Sequence, residues 1–460
     1  EPKRVAFIQC VGSRDLQYGN GYCSGVCCMY AVKESIIAKE HASEMDITIF
    51  YMDIRAYGKG FDAYYTEARE KHGIRFVPSN VSSVKELPDT RNLLIKYVSE
   101  EGRIQEEEFE LVVLSVGLEP SRSSSELAAA LGIDLNQHRF CSSGMLSPLN
   151  TSKPGIFVTG LFQGPKDIPE TVAQSSGAAG LAAALLSPAR KTLVQEKKLP
   201  AELDVSKQTP RIGVFVCHCG INIGSVVDVK SVVALARKLP NVVYAEENLY
   251  SCSQDTQEKI KALIAEHKLN RVVVASCSPR THEPLFQETI QEAGLNRYLF
   301  ELANIRDQCS WVHQQDKAAA TEKAKDLVRM AVARAGLIVP LKRLTLELNP
   351  SALVIGGGIA GMVSALNLAD QGFSVFLLEK EAELGGIARS LYSTLEGADV
   401  QEYLKSLIDR VVRHPRITVH TGAELQKVSG YVGSYISTVA LKGGKEPVEI
   451  RHGAAIIASG

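Results

Sequence analysis

Nine of the ten cysteines fall into two sets, and cysteine is where residue type and spacing first suggest chemistry in this chain. The first set reads C-x12-C-x3-C-C: Cys10, Cys23, Cys27 and Cys28. Cys10 ends the apolar run "RVAFIQ", a strand whose carboxyl end is where α/β folds place working groups. The other three sit in "NGYCSGVCCMYAVK", a glycine-rich loop entering a helix, where free amides favour thiolates and anionic clusters. Four thiolates suit an iron–sulfur cluster or zinc. The spacing is not the common C-x2-C-x2-C ferredoxin run, so a redox-active thiol set and ordinary buried cysteines stay open as alternatives.

The second set, Cys217, Cys219, Cys252, Cys277 and Cys309, has no local motif. Cys217 and Cys219 follow the strand "RIGVFV", and Cys277 follows "RVVVAS". Cys252 and Cys309 sit in loops a little beyond their strands. In a parallel sheet such loops converge on one edge, so five candidates compete for four iron positions. Cys219 precedes a glycine and approaches easily, while Cys217 is read as core-facing or as the alternative ligand. His218, His282 and His313 lie near the same edge and are read as polar loop residues, with zinc and a histidine ligand kept open. Cys141, in "HRFCSSGMLS", stands apart and is read as structural.

A third signal is a glycine loop in strand–turn–helix context. The apolar strand 352–355 runs into Gly356, Gly358 and Gly361, and a second strand ends at Glu379. Gly356 would permit the tight turn, Gly358 the approach of a pyrophosphate and Gly361 close helix packing, with the helix start at Ile359 and Ala360 facing the phosphates. Glu379 stands where an acidic residue binds the ribose. Just past it, Lys380 leads to Gly385 and Gly386, which resemble the extended FAD fingerprint of the glutathione-reductase and thioredoxin-reductase superfamily. Residues 111–190 resemble the closing half of such a site, in "LVVLSVGLEP" and "TSKPGIFVTGLFQGPKDIPETVAQ". Gly160, Gly164, Lys166, Asp167 and Ile168 are the expected contacts there. Leu161 follows the strand glycine where that superfamily often has aspartate. Lys166, Arg14 or Lys33 could stabilise a reduced flavin, although each reads better as a surface charge.

The elements needed to position these residues alternate as strand and helix, which implies parallel sheets with right-handed crossovers. The expected fold is α/β, with three-layer Rossmann-like domains that include partial FAD/NAD(P)-binding, thioredoxin-reductase-like modules. Residues 1–110 read as a nicotinamide-domain-like region, 111–190 as the end of an FAD domain and 191–210 as a charged linker. Residues 211–345 read as a separate α/β iron–sulfur domain, and 346–460 as the start of an FAD domain. The first strand leads into "QCVGSRD" rather than a glycine fingerprint, a poor loop for NAD(P)H. Length, at 460 residues, suits about three domains. With 51 basic against 52 acidic residues, no nucleic-acid partner is expected. No apolar run is long enough to span a membrane, no export signal is read, and a cytoplasmic setting is expected. Both ends read as interruptions of something longer.

Long phrases carry a further resemblance. "VAFIQCVGSRD", "YCSGVCCMYAVKE", "FYMDIRAYGKGF", "GPKDIPETVAQ", "RIGVFVCHCGINIGSVVDV", "CSPRTHEPLF", "NIRDQCSWVH" and "ALVIGGGIAGM" resemble the HdrA family, the flavin-carrying component of heterodisulfide reductase. Their order is unusual, because the end of one flavin module precedes the start of another. A fragment of a tandem or fused protein fits this order, as does a permuted or mis-joined chain. If the halves pack together, residues 351–460 would complete the FAD fold of residues 1–190, an expectation that separate sheets would sink. The resemblance implies an oxidoreductase component of anaerobic, methanogenesis-related metabolism with FAD and [4Fe-4S] clusters. Electrons would pass from a hydrogenase or formate dehydrogenase, through its small iron–sulfur subunit, to ferredoxin and to HdrB- and HdrC-like proteins, where a disulfide is reduced, with flavin-based bifurcation proposed for the family. A homodimer stays open. The competing expectations are an NAD(P)H-dependent, thioredoxin-reductase-like disulfide oxidoreductase using Cys27 and Cys28, and a zinc-stabilised assembly scaffold.

Overall fold

A strand covered on both faces must be apolar nearly throughout, and β1 (Arg4–Val11) meets that condition. In the computed structural model, which describes residues 2–195, 197–444 and 446–460, β1 belongs to the first of two units. That unit comprises residues 1–192 and 347–460, and the second comprises 193–346.

The first unit opens with β1, α1 (Cys27–His41), β2 (Asp46–Tyr51), α2 (Phe61–Glu70) and β3 (Arg75–Pro78). A small antiparallel sheet follows, of β4 (Ser83–Glu86), β5 (Leu93–Val98) and β6 (Ile104–Phe109). The chain then returns as β7 (Leu111–Val116) beside β1, giving a parallel sheet in the order β3-β2-β1-β7. Helices α3 (Ser124–Leu131) and α4 (Ile168–Leu186) come next. The strand expected at "GIFVTG" does not form. Only an isolated bridge joins Asn150 to Phe157, and Gly160–Phe162 make one tight turn. The Thr151 hydroxyl donates to the carbonyls of Lys153 and Ile156, at 3.0 and 2.8 Å, and so folds the segment onto itself.

In the second unit the elements are β8 (Ile212–Cys217), α5 (Ile221–Gly224), α6 (Val229–Ala236), β9 (Val242–Asn248), α7 (Gln254–Glu266), β10 (Arg271–Ser276), α8 (Pro279–Glu292), β11 (Phe300–Asn304) and α9 (Lys317–Ala335). All strand pairs are parallel, in the order β11-β10-β8-β9. The two central strands, β8 and β10, are buried at every residue. Much of the supposed linker 191–210 is part of this unit. Val205 lies in its core, the Leu203 N–H donates to the Gly294 carbonyl at 2.8 Å, and Asn296 bonds Glu202 at 2.9 Å. Val205 and the hydrogen bonds of Leu203 and Glu202 hold this charged stretch, read in the sequence as a linker, against the unit.

The first unit resumes with β12 (Ser351–Ile355), α10 (Ile359–Asp370), β13 (Ser374–Leu378), α11 (Val400–Arg413) and β14 (Ile417–His420). An antiparallel sheet of β15 (Ala423–Tyr431), β16 (Ser434–Leu441) and β17 (Val448–His452) precedes β18 (Ala454–Ile457), which returns beside β12. The parallel order is β14-β13-β12-β18, a sheet separate from that of β1. The two partial flavin segments therefore lie in separate sheets, which overturns the expectation that residues 351–460 complete the FAD fold of residues 1–190. They meet through helices. Gly180 of α4 lies against Asn367 of α10, the Ser187 hydroxyl donates to the Asp370 carbonyl at 3.2 Å, and Arg190 covers the Phe373 ring. Among the described residues no helix is long and apolar enough to cross a membrane.

Candidate cofactor sites

At the carboxyl edge of the second unit's sheet, Cys217, Cys219, Cys252 and Cys277 lie near enough to act on one another through their charges, without standing in a metal-holding arrangement. Cys217 ends β8, and its sulfur accepts the N–H groups of Cys219 at 3.2 Å and Ser251 at 3.3 Å. The Arg306 guanidinium reaches the Cys219 sulfur at 3.9 Å and covers the Trp311 ring. Burial first, then the charge of Cys217, pushes the Cys252 thiol up. Burial likewise pushes Cys277 up, against the pull of Arg306, and Cys219 and Cys252 also act on it. Cys219 is held at φ 47°, a left-handed conformation that costs a non-glycine residue about 1 kcal/mol or more.

Cys309 is not part of that group. It lies in a π-type turn, Arg306–Ser310, fully buried in the apolar core, with its thiol directed to the Ala320 carbonyl at 3.0 Å. In this structure the Cys309 thiol thus lies in the core, while the Cys217 sulfur accepts two N–H groups at the sheet edge. The three histidines have other partners: His218 bonds Glu247, His313 bonds Lys323 and His282 packs near Phe286. No motif marks Arg306 in the sequence, although it is the one basic residue in the turn that carries Cys309.

In the first set, Cys27 stands at the start of α1 between Cys10 and Cys28. Hydrogen bonds from both pull Cys27 down to about 3, and the same bonds, with burial, push Cys10 and Cys28 up. Cys10 too has a left-handed backbone, at φ 60°. Cys23 accepts the Gly25 N–H at 3.3 Å and acts on Cys10 through its charge. Among the described residues no three His, Cys, Asp or Glu side chains already stand in a metal-holding arrangement. Cys141 is buried in a small apolar cluster, as a structural cysteine would be.

The glycine loop follows β12. Gly356, at φ 112°, presses on the Ala458 backbone, and a Cβ there would lie 2.2 Å from its carbonyl oxygen. At Gly361 a Cβ would lie 1.8 Å from the Gly356 oxygen, so helix and loop touch backbone to backbone. At Gly358 a Cβ would meet nothing within 4 Å, which leaves the loop open before the uncapped start of α10 at Ile359 and Ala360. The buried Glu379 carboxylate takes the N–H groups of Gly357 at 2.7 Å and Glu381 at 2.9 Å. Each oxygen keeps a lone pair for a hydroxyl. Gly385 donates to the Gly357 carbonyl at 2.9 Å, and Gly386 lies against Gly358, while Lys380 is exposed.

The closing segment is arranged differently. The ammonium of Lys166 is buried, which pulls its pKa down, and is spent on Gly160, Gln163 and Gly164 at 2.7–2.8 Å. Asp167 caps α4 through the Glu170 N–H, and Ile168 is exposed. Among the described residues no hydrogen bond joins residues 160–168 to the glycine loop.

A parallel sheet whose first strand runs into an open glycine loop and an uncapped helix defines a Rossmann-like nucleotide-binding module, and the NAD(P)-binding Rossmann-like domain family matches residues 354–405. Over about half its length the chain is homologous to HdrA, a component of heterodisulfide reductase. It is 50% identical over 240 residues to the second HdrA-type iron–sulfur component of the CoB–CoM heterodisulfide reductase of Methanopyrus kandleri, covering 52% of this chain and 36% of that protein. It is 48% identical over 245 residues to the HdrA-type component of the H(2):CoB–CoM heterodisulfide, ferredoxin reductase of Methanothermobacter thermautotrophicus, covering 53% and 36%. The matched stretch is thus about a third of these relatives' length. Among solved structures, L-proline dehydrogenase from P. horikoshii is 21% identical over 26% of this chain and 24% of that one, at a TM-score of 0.22, too distant to add to the assignment.

Proposed function

We propose that this chain is an electron-transfer component of the HdrA type, with FAD on the glycine loop and iron–sulfur clusters at the two cysteine sets. The observation that carries the reading is the pair of N–H groups directed at the Cys217 sulfur, near which Cys219, Cys252 and Cys277 act on one another through their charges. Amide donors and a neighbouring arginine suit thiolates that carry an anionic cluster. Three buried polar groups without partners, Asn248, Ser251 and Ser276, belong to the same edge and fit an acceptor-rich occupant.

Bound FAD would exchange electrons in pairs or singly, and [4Fe-4S] clusters would carry them singly. The residues of this chain would hold those groups. Gly358 leaves room for a pyrophosphate, the α10 amides face its charge, and Glu379 fixes the loop while offering lone pairs to a ribose. Cys10, Cys23, Cys27 and Cys28 would hold a second cluster. Gly160, Gly164, Asp167 and Ile168 are proposed only as the wall nearest that set, because Gly25 lies close to the Pro165 carbonyl. Lys166 has no free donor left for a flavin. Proposed partners are HdrB- and HdrC-like proteins, ferredoxin and the small iron–sulfur protein of a hydrogenase or formate dehydrogenase, in a cytoplasmic setting.

Anaerobic purification with iron, zinc, sulfide and flavin analysis tests this. Flavin bands over broad iron–sulfur absorbance are expected. Zinc without iron would overturn the reading in favour of a scaffold, and direct bleaching of the flavin by NAD(P)H would favour a disulfide oxidoreductase.

A further inference from the structure

Three polar side chains at the carboxyl edge of the second unit's sheet are buried and lack hydrogen-bond partners. The Ser251 hydroxyl is fully buried, the Ser276 hydroxyl is 2% exposed and the Asn248 amide 7% exposed. Each adjoins a cysteine of the converging group. Asn248 is paired with Cys217 in the register of β8 and β9, and Ser251 donates its N–H to the Cys217 sulfur. Ser276 precedes Cys277 and lies against its sulfur without a hydrogen bond of normal geometry. An unmade bond costs a buried donor about 1–3 kcal/mol. Three such donors beside four thiols are hard to explain as ordinary core residues.

We infer that Ser251, Ser276 and Asn248 donate hydrogen bonds to the sulfurs of the cluster held by Cys217, Cys219, Cys252 and Cys277 and, with Arg306, raise its reduction potential. The inference rests on the cluster reading of this edge. Uptake of one electron makes the cluster more negative, with no bond broken and no proton moved. Donors and a cation aimed at its sulfurs favour that reduced state. Ser251, Ser276 and Asn248 act through the sulfurs and are positioning residues.

The test is a redox titration of the anaerobically purified chain, followed by electron paramagnetic resonance, with iron and sulfide measured on each sample. The relevant signal is the one lost in Cys217→Ser. Ser251→Ala and Ser276→Ala should keep full iron yet lower that signal's midpoint, shifting its reduced-to-oxidised ratio at fixed ambient potential about three- to tenfold. The double variant should shift it further, Ser276→Thr should restore it, and the other cluster should not move. Asn248→Asp, which replaces a donor with a charge, should lower the midpoint most and decides the matter if an alanine variant does not fold. Unchanged midpoints with full iron would overturn the inference and leave the cluster reading intact. Absence of iron from the unaltered protein would overturn the cluster reading itself.

Discussion

The backbone N–H of Ser251 donates to the sulfur of Cys217 at 3.3 Å and so ties the turn after β9 to the end of β8. A second N–H, from Cys219, meets the same sulfur. To present it, Cys219 adopts a left-handed backbone that other residues avoid. The strain has a use if the turn must hold sulfurs in a fixed array. It has none if Cys217 is only a core residue.

That contrast separates the five cysteines of the set. Cys217→Ala or Cys252→Ala should lose the iron of one cluster, read as iron per chain after anaerobic purification. Cys309→Ala should keep all of it and lower stability by about 1 kcal/mol, because only a packed thiol is removed. Iron loss on replacing Cys309 would mean that the wrong four cysteines have been grouped.

The glycines of the nucleotide loop should divide in the same way. Gly361→Ala would drive a Cβ to 1.8 Å from the Gly356 oxygen, and about 3 kcal/mol of strain is expected. Gly358→Ala meets nothing and has φ −74°, so the fold should hold within about 0.5 kcal/mol. Its methyl would fill the space assigned to pyrophosphate, and flavin retention should fall about tenfold or more. Flavin content and the melting temperature together check both halves. Undiminished flavin in Gly358→Ala would remove this loop from the FAD site.

Much of this was readable in the sequence, for identifiable reasons. The buried strands β8 and β10 are continuous apolar runs, and the glycine loop is a pattern in which each position has its own steric demand. The missed features depend on geometry that spacing does not encode. One extra residue in the turn Arg306–Ser310 takes Cys309 into the core. A threonine hydroxyl competes for the Ile156 carbonyl of "GIFVTG". Strands β4, "SVKE", and β6, "IQEEEF", are charged because little of either is covered, so they give no strand signal, whereas β5, "LLIKYV", is an apolar run. The unpartnered donors near Cys217 become visible only when three strand ends are brought side by side.

Glu107 links the antiparallel sheet to β3. Burial raises its pKa, but hydrogen bonds from Arg75 and Tyr97 and the charges of Arg75 and Arg4 outweigh that and hold it below the usual range. Arg75 and Arg4 reach it at 3.1 Å. A carboxylate with a depressed folded pKa contributes stability that is fully present above its unfolded value, about 4.3, and is lost as pH falls through the folded value. Glu107→Gln should therefore cost about 1 kcal/mol at pH 7 and less near pH 3, after allowance for partial solvent screening. Denaturant unfolding at the two pH values tests this, and an equal cost at both would contradict it.

His452 provides the opposite kind of titration. It is fully buried in the sheet of β15, β16 and β17, with Nε2 2.8 Å from the Ser437 hydroxyl and Nδ1 3.0 Å from the Ala454 carbonyl. A carbonyl can only accept, so Nδ1 carries the proton and Nε2 takes the serine hydroxyl, which makes the ring neutral. Burial pushes its pKa down, and the Ala454 carbonyl opposes this only in part. For a histidine with a folded pKa below the unfolded value, stability is full above about pH 6.5 and is lost as pH falls toward the folded pKa, since the unfolded chain binds the proton first. Unfolding free energy should therefore decline between about pH 7 and pH 5. His452→Gln offers one side-chain amide where the ring had two contacts, so it should cost about 1–2 kcal/mol at pH 7.5. It should also flatten the decline, because the group that must be charged on unfolding is gone. A slope equally steep in the variant would mean that another group governs acid sensitivity in this sheet.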